Sequence, residues 1–302
     1  MTAGFPHWHA HFDGWLLIGL IEVAYLVALR RERKRRGPGE EAPASRRQVT
    51  AFSAGVAVLW LASGWPVHDL AEGYLYSVHM VQHLLFTLVA AALLLIGTPT
   101  WMARRLLGVG AGRSPHATSR RLVVARGFSR PVAGLIQFNL VLVLSHWPAV
   151  VEATLLHHPL HFVAHAVLLV SAVLMWMPVL SPLPEIARAR PPTQMLYLFL
   201  QTVVPTVPAS FLTFGHRPLY RIYETFPRLW GASPLDDQQI AGLIMKVGAG
   251  FYLWVVIAAI FFRWYASEER QHTHPDEAPA EHDDVLLWED VEAELRQLGG
   301  KA

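Results

Sequence analysis

The sequence has no cysteine and carries little charge. The absence of cysteine among its 302 residues excludes disulfide bonds and thiolate metal sites. Asp, Glu, Lys and Arg make up only 16% of the chain, against about 25% in an ordinary soluble domain. Hydrophobic residues reach 53%, and the mean hydropathy is +0.31. This composition argues against a soluble enzyme and favours a chain that lies largely within a lipid bilayer.

The sequence also lacks the motifs of common soluble catalysts. It contains no Walker loop, no dinucleotide-binding glycine fingerprint and no Ser/His/Asp set at a recognisable spacing. We therefore predict that the protein is not an enzyme. Its arginine runs lie beside hydrophobic segments, where membrane orientation explains them without a nucleic-acid partner. We accordingly predict that the protein binds no nucleic acid.

Seven apolar windows are long enough to cross a bilayer, which takes about 20 residues in a helix. They cover residues 10–29, 50–67, 76–96, 131–147, 160–180, 194–215 and 239–262. No signal-peptidase-like site follows any of them, so we expect the first window to be retained. The predicted fold is all-α, an integral membrane bundle of seven transmembrane helices within residues 1–266.

The basic residues predict the orientation of this bundle. Eight Lys or Arg lie in residues 30–47, and seven lie in residues 98–130, which contain no acid. Cytoplasmic loops carry such an excess, so we predict an outside N-terminus and a cytoplasmic C-terminus. Residues 267–302 then form a charged cytoplasmic tail. Apolar residues at helical spacing between 287 and 298 indicate a short amphipathic helix there, and a solvated tail is the alternative.

The histidines are numerous and unevenly distributed. This orientation places twelve of the sixteen outside the membrane or in its outer third. The twelve are His7, His9, His11, His68, His79, His83, His146, His157, His158, His161, His165 and His216. Neutral histidine is not subject to the positive-inside rule, so the outward placement of the histidines needs a chemical explanation. Imidazole is the commonest nitrogen ligand of transition metals.

Two pairs of histidines are four residues apart, a spacing that puts both rings on one helix face. His79 and His83 open the third window, and His161 and His165 open the fifth. If those helices are neighbours, four imidazoles converge near the outer surface. The alternative is that the rings only join helices by hydrogen bonds. That alternative is favoured for a lone histidine such as His146, but four buried imidazoles need partners for eight ring nitrogens.

Further candidate ligands lie close to these pairs in the sequence. Met80 is the nearby soft donor, and Asp69 or Glu72 would complete a coordination shell or orient a ligand imidazole. Zinc and copper both accept imidazole ligands. The candidate metal ligands are His79, His83, His161, His165, His68, Asp69, Met80 and His158.

Two other functions remain open at this point. One is a membrane haem b electron-transfer protein, because one histidine from each of two helices can hold haem. Haem would leave most of the histidines unused, which favours a metal ion that is handed along. The other is a divalent-metal or proton transporter, in which Glu22 and Lys246 would lie on a route with the histidines. Ionisable residues at lipid depth usually pair or line such a path.

Three strings of the sequence resemble a known family. They are "YSVHMVQHLLF" at residues 76–86, "LLLIGTP" ending at Pro99, and "HPLHFVAH" at residues 158–165. They are similar to the polytopic CtaG family of cytochrome c oxidase assembly factors, the multi-span proteins and not the single-span copper chaperone of the same name. The likeness extends from the first window to the seventh.

The resemblance implies a bacterial cytoplasmic-membrane protein that helps to build an active haem–copper oxidase. Copper supply is the task it implies, with oxidase subunits and membrane lipid as partners and a copper-donating chaperone as a further candidate. The matching positions are His79, Met80, Gln82, His83, Pro159, His161, His165 and, in addition, Asp69. We therefore predict a membrane assembly factor that binds copper in an outward-facing histidine pocket and delivers it to the oxidase.

Overall fold

The computed structural model describes residues 8–109 and 119–273, and all regular elements in those two ranges are helical. This confirms the all-α class for the described part of the chain. The helices are α1 (Phe12–Arg36), α2 (Arg46–Ala62), α3 (Val67–Gly73), α4 (Tyr76–Leu84), α5 (Ala91–Gly97), α6 (Thr100–Leu106), α7 (Arg120–Phe128), α8 (Pro131–Ser145), α9 (Pro148–Leu156), α10 (His158–Leu180), α11 (Pro191–Val203), α12 (Thr206–Phe214), α13 (Pro234–Leu243) and α14 (Ala249–Thr273). Two π-helical turns, Leu85–Ala90 and Ile244–Gly248, join α4 to α5 and α13 to α14, and a 3-10 turn covers Arg221–Glu224.

This described part contains between four and six candidate membrane spans, judged by helix length and composition. Four helical segments are long and apolar enough: Tyr76–Gly97, His158–Leu180, Pro191–Phe214 and Pro234–Arg270. The bent pairs α2 with α3, at 42°, and α7 with α8, at 83°, add two more if each pair is one span. Helix α1, 25 residues long, covers the first predicted window but is not among these candidates. Seven spans and the orientation of the termini therefore stay predictions.

Contacts divide the chain after Phe261 into a large unit and a smaller one, Phe262–Ala302. The described part of the smaller unit is the end of α14, as far as Thr273. The amphipathic helix predicted between residues 287 and 298 lies outside the described residues. The boundary predicted after residue 266 stays a prediction.

The span Tyr76–Gly97 lies at the centre of the large unit, and its π-helical turn bonds it to two neighbours. Such a turn interrupts the regular ladder and leaves carbonyl groups free to accept other donors. Trp176 on α10 donates its indole N–H to the carbonyl of Thr87, at 2.9 Å. Tyr252 on α14 donates its hydroxyl to the carbonyl of Leu88, at 3.0 Å. These bonds fix the middle of the central span against α10 and α14.

Two hydrophobic cores flank the central span. Helices α8, α10 and α11 enclose the larger core, in which Leu168, Met175 and Trp176 are buried. Helices α1 and α2 pack on α5 to form a second core around Phe52 and Leu59. The central span thus touches both α2 and α10, and the histidines at its start face α10.

Glu22 and Lys246, which the sequence places at lipid depth, do not pair with each other. Ser53 on α2 donates its hydroxyl to Glu22 Oε1 at 2.6 Å. Lys246 is exposed in the second π-helical turn. The ion pairs found between described residues do not join the two side chains. Glu22 therefore has a local role in holding α1 against α2.

Gly97, at the end of α5, allows two helices to meet backbone to backbone. A Cβ atom at this position would lie 2.4 Å from the backbone nitrogen of Phe52 on α2. The ring of Tyr25 stacks on Phe52 with centroids 3.8 Å apart, and its hydroxyl donates to the carbonyl of Gly97 at 2.9 Å. The glycine of the "LLLIGTP" string thus has a packing role.

We expect Gly97→Ala to lower the free energy of unfolding by about 1–3 kcal/mol, because the added methyl group has to displace the backbone of α2. Thermal unfolding of detergent-purified protein should show a lower midpoint than wild type. Gly19→Ala on α1 is the control, because a Cβ there meets nothing within 4 Å. Equal midpoints for the two variants would contradict this close contact.

Candidate metal centre

The start of α4 is held by a carboxylate from a distant part of the chain. Asp237 on α13 accepts hydrogen bonds from the backbone nitrogens of Tyr76, at 2.6 Å, and Ser77, at 3.1 Å. The Ser77 hydroxyl also donates to Asp237, at 2.5 Å. The first N–H groups of a helix have no partner within it, so a carboxylate there satisfies them. Asp237 therefore fixes the turns that carry His79 and His83.

Helix α10 presents the second pair of histidines. It begins at His158 and has Pro159 in its first turn, where the missing N–H group costs no helical bond. His161 and His165 follow on one face, and their Nε2 atoms lie 3.0 Å apart. Both belong to the first two turns of α10, just as His79 and His83 belong to the first two turns of α4.

The structure brings the two pairs together, and we call His79, His83, His161 and His165 the imidazole cluster. The Nε2 atoms of His83 and His165 lie 3.3 Å apart. One ring nitrogen from each of His79, His83 and His165 lies within 4.8 Å of the others. A tetrahedral ion with bonds of 2.0–2.1 Å holds its nitrogen ligands about 3.4 Å apart. The spacing is close to that of ligands around one ion.

A carboxylate sets the tautomer of one imidazole in the cluster. His161 Nδ1 contacts Glu72 Oε1 on α3. An ionised carboxylate only accepts, so this ring nitrogen carries the proton, and Nε2 of a neutral ring keeps its lone pair. That lone pair faces His165. The arrangement is the carboxylate–histidine pair that commonly orients a metal ligand.

The cluster contains more ring nitrogens than hydrogen bonds can satisfy. His165 Nε2 faces two other Nε2 atoms, those of His161 and His83, yet it offers either one proton or one lone pair. Within the ranges that the structure covers, the Nδ1 atoms of His79 and His83 are buried without a hydrogen-bond partner. Unpaired buried nitrogens are costly, and an ion bound by several of these rings would offset part of that cost.

His68 orients Glu72 through a chain of hydrogen bonds. Its Nε2 atom lies 3.1 Å from Glu72 Oε1, and its Nδ1 atom lies 3.2 Å from Gln82 Nε2. Gln82 Nε2 also donates to the carbonyl of Ala62 at 2.7 Å. Because an amide nitrogen only donates, Nδ1 of His68 accepts and Nε2 donates. Both nitrogens of His68 are thus engaged, although the sequence had suggested a ligand at this position.

Three other candidate ligands make no contact with the imidazole cluster that the structure describes as a hydrogen bond or ion pair. The Met80 thioether lies against His146, at 3.3 Å between Sδ and Nε2. Asp69 pairs with His11, at 3.0 Å between Oδ2 and Nε2. His158 is exposed and lines a cavity. The cluster therefore consists of imidazoles alone, with Glu72 as its orienting carboxylate.

A cavity of about 560 Å³ adjoins the imidazole cluster. Apolar residues of α1 and α2, such as Leu17 and Leu59, form part of its wall, and Glu72 lines the polar part. His161 and His165 also line the cavity, whereas His79 and His83 do not. An ion that enters the cavity meets the α10 pair first.

Sequence reasoning missed Asp237 and gave His146 no place in a site. Asp237 follows Ser233, whose side chain caps α13, and so reads as an acid in the first turn of its own helix. Nothing in that local pattern indicates a contact with α4. His146 stands alone in the sequence, where an interhelical hydrogen bond is the ordinary interpretation.

The geometry does not support the two alternative functions. A haem ring would have to fit between two axial imidazoles, but the rings of His83 and His165 are only 5.2 Å apart and their Nε2 atoms are 3.3 Å apart. A transporter would place Glu22 and Lys246 on a route with the histidines. Glu22 instead bonds Ser53, and Lys246 is exposed.

One family model matches most of the chain. The family model described as cytochrome c oxidase caa3 assembly factor (Caa3_CtaG) matches residues 23–267. An uncharacterized protein of Mycobacterium leprae (strain TN) is 23% identical over 305 aligned residues, which cover 94% of this chain and 43% of the relative. Uncharacterized proteins of Mycobacterium bovis and Mycobacterium tuberculosis are each 26% identical, over 92% of this chain and 42% of their own length. The chain thus spans about two fifths of the length of these curated relatives. No solved structure matches.

Proposed function

The chain belongs to the cytochrome c oxidase caa3 assembly factor family, and on this basis we propose that it delivers copper to a haem–copper oxidase during assembly. The copper ion is cargo, held by the imidazole cluster and passed to an oxidase subunit, and the protein is not an enzyme. The proposed location is the bacterial cytoplasmic membrane, in agreement with several helices long enough to cross a bilayer.

The observation that carries this proposal is the tautomer of His161. Glu72 holds the proton on Nδ1, so the Nε2 lone pair faces His165. One ring nitrogen of His165 lies in turn within 4.8 Å of a ring nitrogen of His79 and of His83. A fixed lone pair beside buried ring nitrogens that hydrogen bonds cannot all satisfy fits a bound cation better than a purely structural contact.

The composition of the cluster suits transfer better than permanent storage. Imidazoles bind copper and zinc, but they hold either ion less tightly than a closed set of thiolates would. The adjacent cavity gives an ion access to His161 and His165 without unfolding of the helices. We infer that an oxidase subunit and a copper-donating chaperone dock at the end of the bundle where α4 and α10 begin. The predicted orientation puts that end outside the cytoplasm.

Titration of the detergent-purified chain with copper against a chromophoric chelator tests the proposal. We expect wild type to bind copper and to show no Soret band. Glu72→Gln should weaken copper binding about 10- to 100-fold, because loss of an orienting carboxylate typically has that effect on a metal site. Glu152→Gln, at an exposed position of α9, is the matched control and should bind as wild type does. Equal affinities in all three proteins, or a Soret band, would remove the imidazole cluster from the proposal.

A further inference from the structure

A methionine and a histidine meet in the protein interior beside the imidazole cluster. Met80 Sδ on α4 lies 3.3 Å from His146 Nε2 at the end of α8. Both residues are buried, with 2% and 7% of their surface exposed. Met80 immediately follows His79, so it points to a different face of α4 from the pair His79 and His83. The contact therefore belongs to a separate place in the bundle.

The surroundings of His146 fix its tautomer. Its Nδ1 atom lies 2.7 Å from the backbone carbonyl of Leu142, which can only accept, so Nδ1 carries a proton. The Ser145 hydroxyl donates to the same carbonyl, at 2.8 Å. The Tyr220 hydroxyl donates to the backbone carbonyl of His146 at 2.8 Å and fixes the main chain. In a neutral ring, Nε2 then has a lone pair and no proton.

That lone pair faces the sulfur of Met80, which is itself only a weak acceptor. Two electron-pair donors thus meet with no proton between them. A charged imidazolium would need an acidic partner. Within the described chain His146 contacts Met80, Leu142, Ser145, Tyr220 and the ring of His83, and none of these is acidic. A buried charge without an acidic partner is costly.

His83 links this contact to the imidazole cluster. Its ring centroid lies 5.7 Å from that of His146 and 5.2 Å from that of His165. Its Nε2 atom faces His165, whereas its Nδ1 atom is buried with no hydrogen-bond partner among the residues described. The His83 imidazole is therefore close both to the rest of the imidazole cluster and to the contact between Met80 and His146.

We propose that Met80 and His146 form a second metal site, selective for cuprous ion, which receives the ion from the imidazole cluster. Thioether sulfur is a soft ligand that selects Cu(I), whereas divalent zinc binds well to imidazole and carboxylate ligands. An ion held by one nitrogen and one sulfur lies between the two atoms, which would have to move apart from their present 3.3 Å to admit it. This inference rests on the proposed function and adds to it that the cargo is handed on as Cu(I).

The test is an anaerobic titration of the full chain in detergent with Cu(I), with Ag(I) and zinc as separate probes. We expect wild type to bind about two equivalents of Cu(I) and Met80→Leu about one, with zinc binding unchanged. Leucine keeps nearly the same volume. Met245→Leu is the control, because Met245 belongs to the same hydrophobic core as Met80; this variant should bind as wild type does. X-ray absorption of the Cu(I) form should show a sulfur neighbour at about 2.3 Å in wild type and not in Met80→Leu.

The possible results separate this inference from the proposed function. Equal stoichiometry in wild type and Met80→Leu, or copper with only nitrogen neighbours in wild type, would overturn the second site and leave the imidazole cluster intact. A wild type that binds no copper would overturn both. The sulfur signal of wild type needs no variant, so the inference can fail even if Met80→Leu does not fold.

Discussion

A strain whose only copy of the protein carries His79→Gln and His161→Gln is expected to lose at least about tenfold of its cytochrome c oxidase activity. The two substitutions remove one imidazole from each pair of the imidazole cluster and leave only His83 and His165 as neighbouring ligands, too few to hold an ion in the proposed way. Copper content of the purified oxidase should fall in parallel, while the amount of the protein in the membrane stays the same. Oxidase activity and metal analysis of isolated membranes provide the measurement.

Two comparisons make this result specific. His216→Gln changes an exposed histidine that follows α12 and should leave oxidase activity unchanged. Excess copper in the growth medium should restore part of the activity of the double variant, which a folding defect would not allow. Normal activity and normal oxidase copper in the double variant would contradict copper delivery by the cluster.

Asp237→Ala is expected to produce the largest loss of stability. The substitution leaves the backbone nitrogens of Tyr76 and Ser77 without their acceptor at the start of α4. Each buried donor that loses its partner costs about 1–3 kcal/mol, so the two together should cost about 2–6 kcal/mol. The thermal unfolding midpoint in detergent should drop well below that of wild type, and copper affinity should fall because His79 lies in the turn that Asp237 holds.

Two neighbouring variants check this explanation. Asp236→Ala, at an exposed residue, should cost far less, since it loses only a local bond to Ser233. Asp237→Asn keeps one carbonyl oxygen as acceptor and should fall between Asp237→Ala and wild type. If all three variants had the same unfolding midpoint as wild type, the Asp237 carboxylate would not be the group that anchors α4.

The sequence predicts several span limits well, because length and apolar content are local properties. The fifth window, residues 160–180, agrees with α10 (His158–Leu180), and the fourth begins with α8 at Pro131. The bends between α2 and α3, at 42°, and between α7 and α8, at 83°, were not predicted. Bends of this kind depend on how the helices pack, which the apolar pattern does not contain.

The imidazole cluster was predictable only in part. Helical periodicity places His79 with His83 and His161 with His165, but the adjacency of the two helices depends on long-range packing. Periodicity also argues against Met80 as a partner of these rings, since it lies about 100° around the helix from His79. The role of Asp237 depends on a contact across 161 positions of sequence with Tyr76, which no local pattern indicates.

The π-helical turn between α4 and α5 introduces a fixed offset in rotational phase between the two halves of the central span. An extra residue in one turn rotates everything before it by about 100° relative to everything after it. The face that carries His83 therefore does not continue straight into the face on which Gly97 meets α2. The offset lets one helical segment direct ligands toward α10 at one end and pack against α2 at the other.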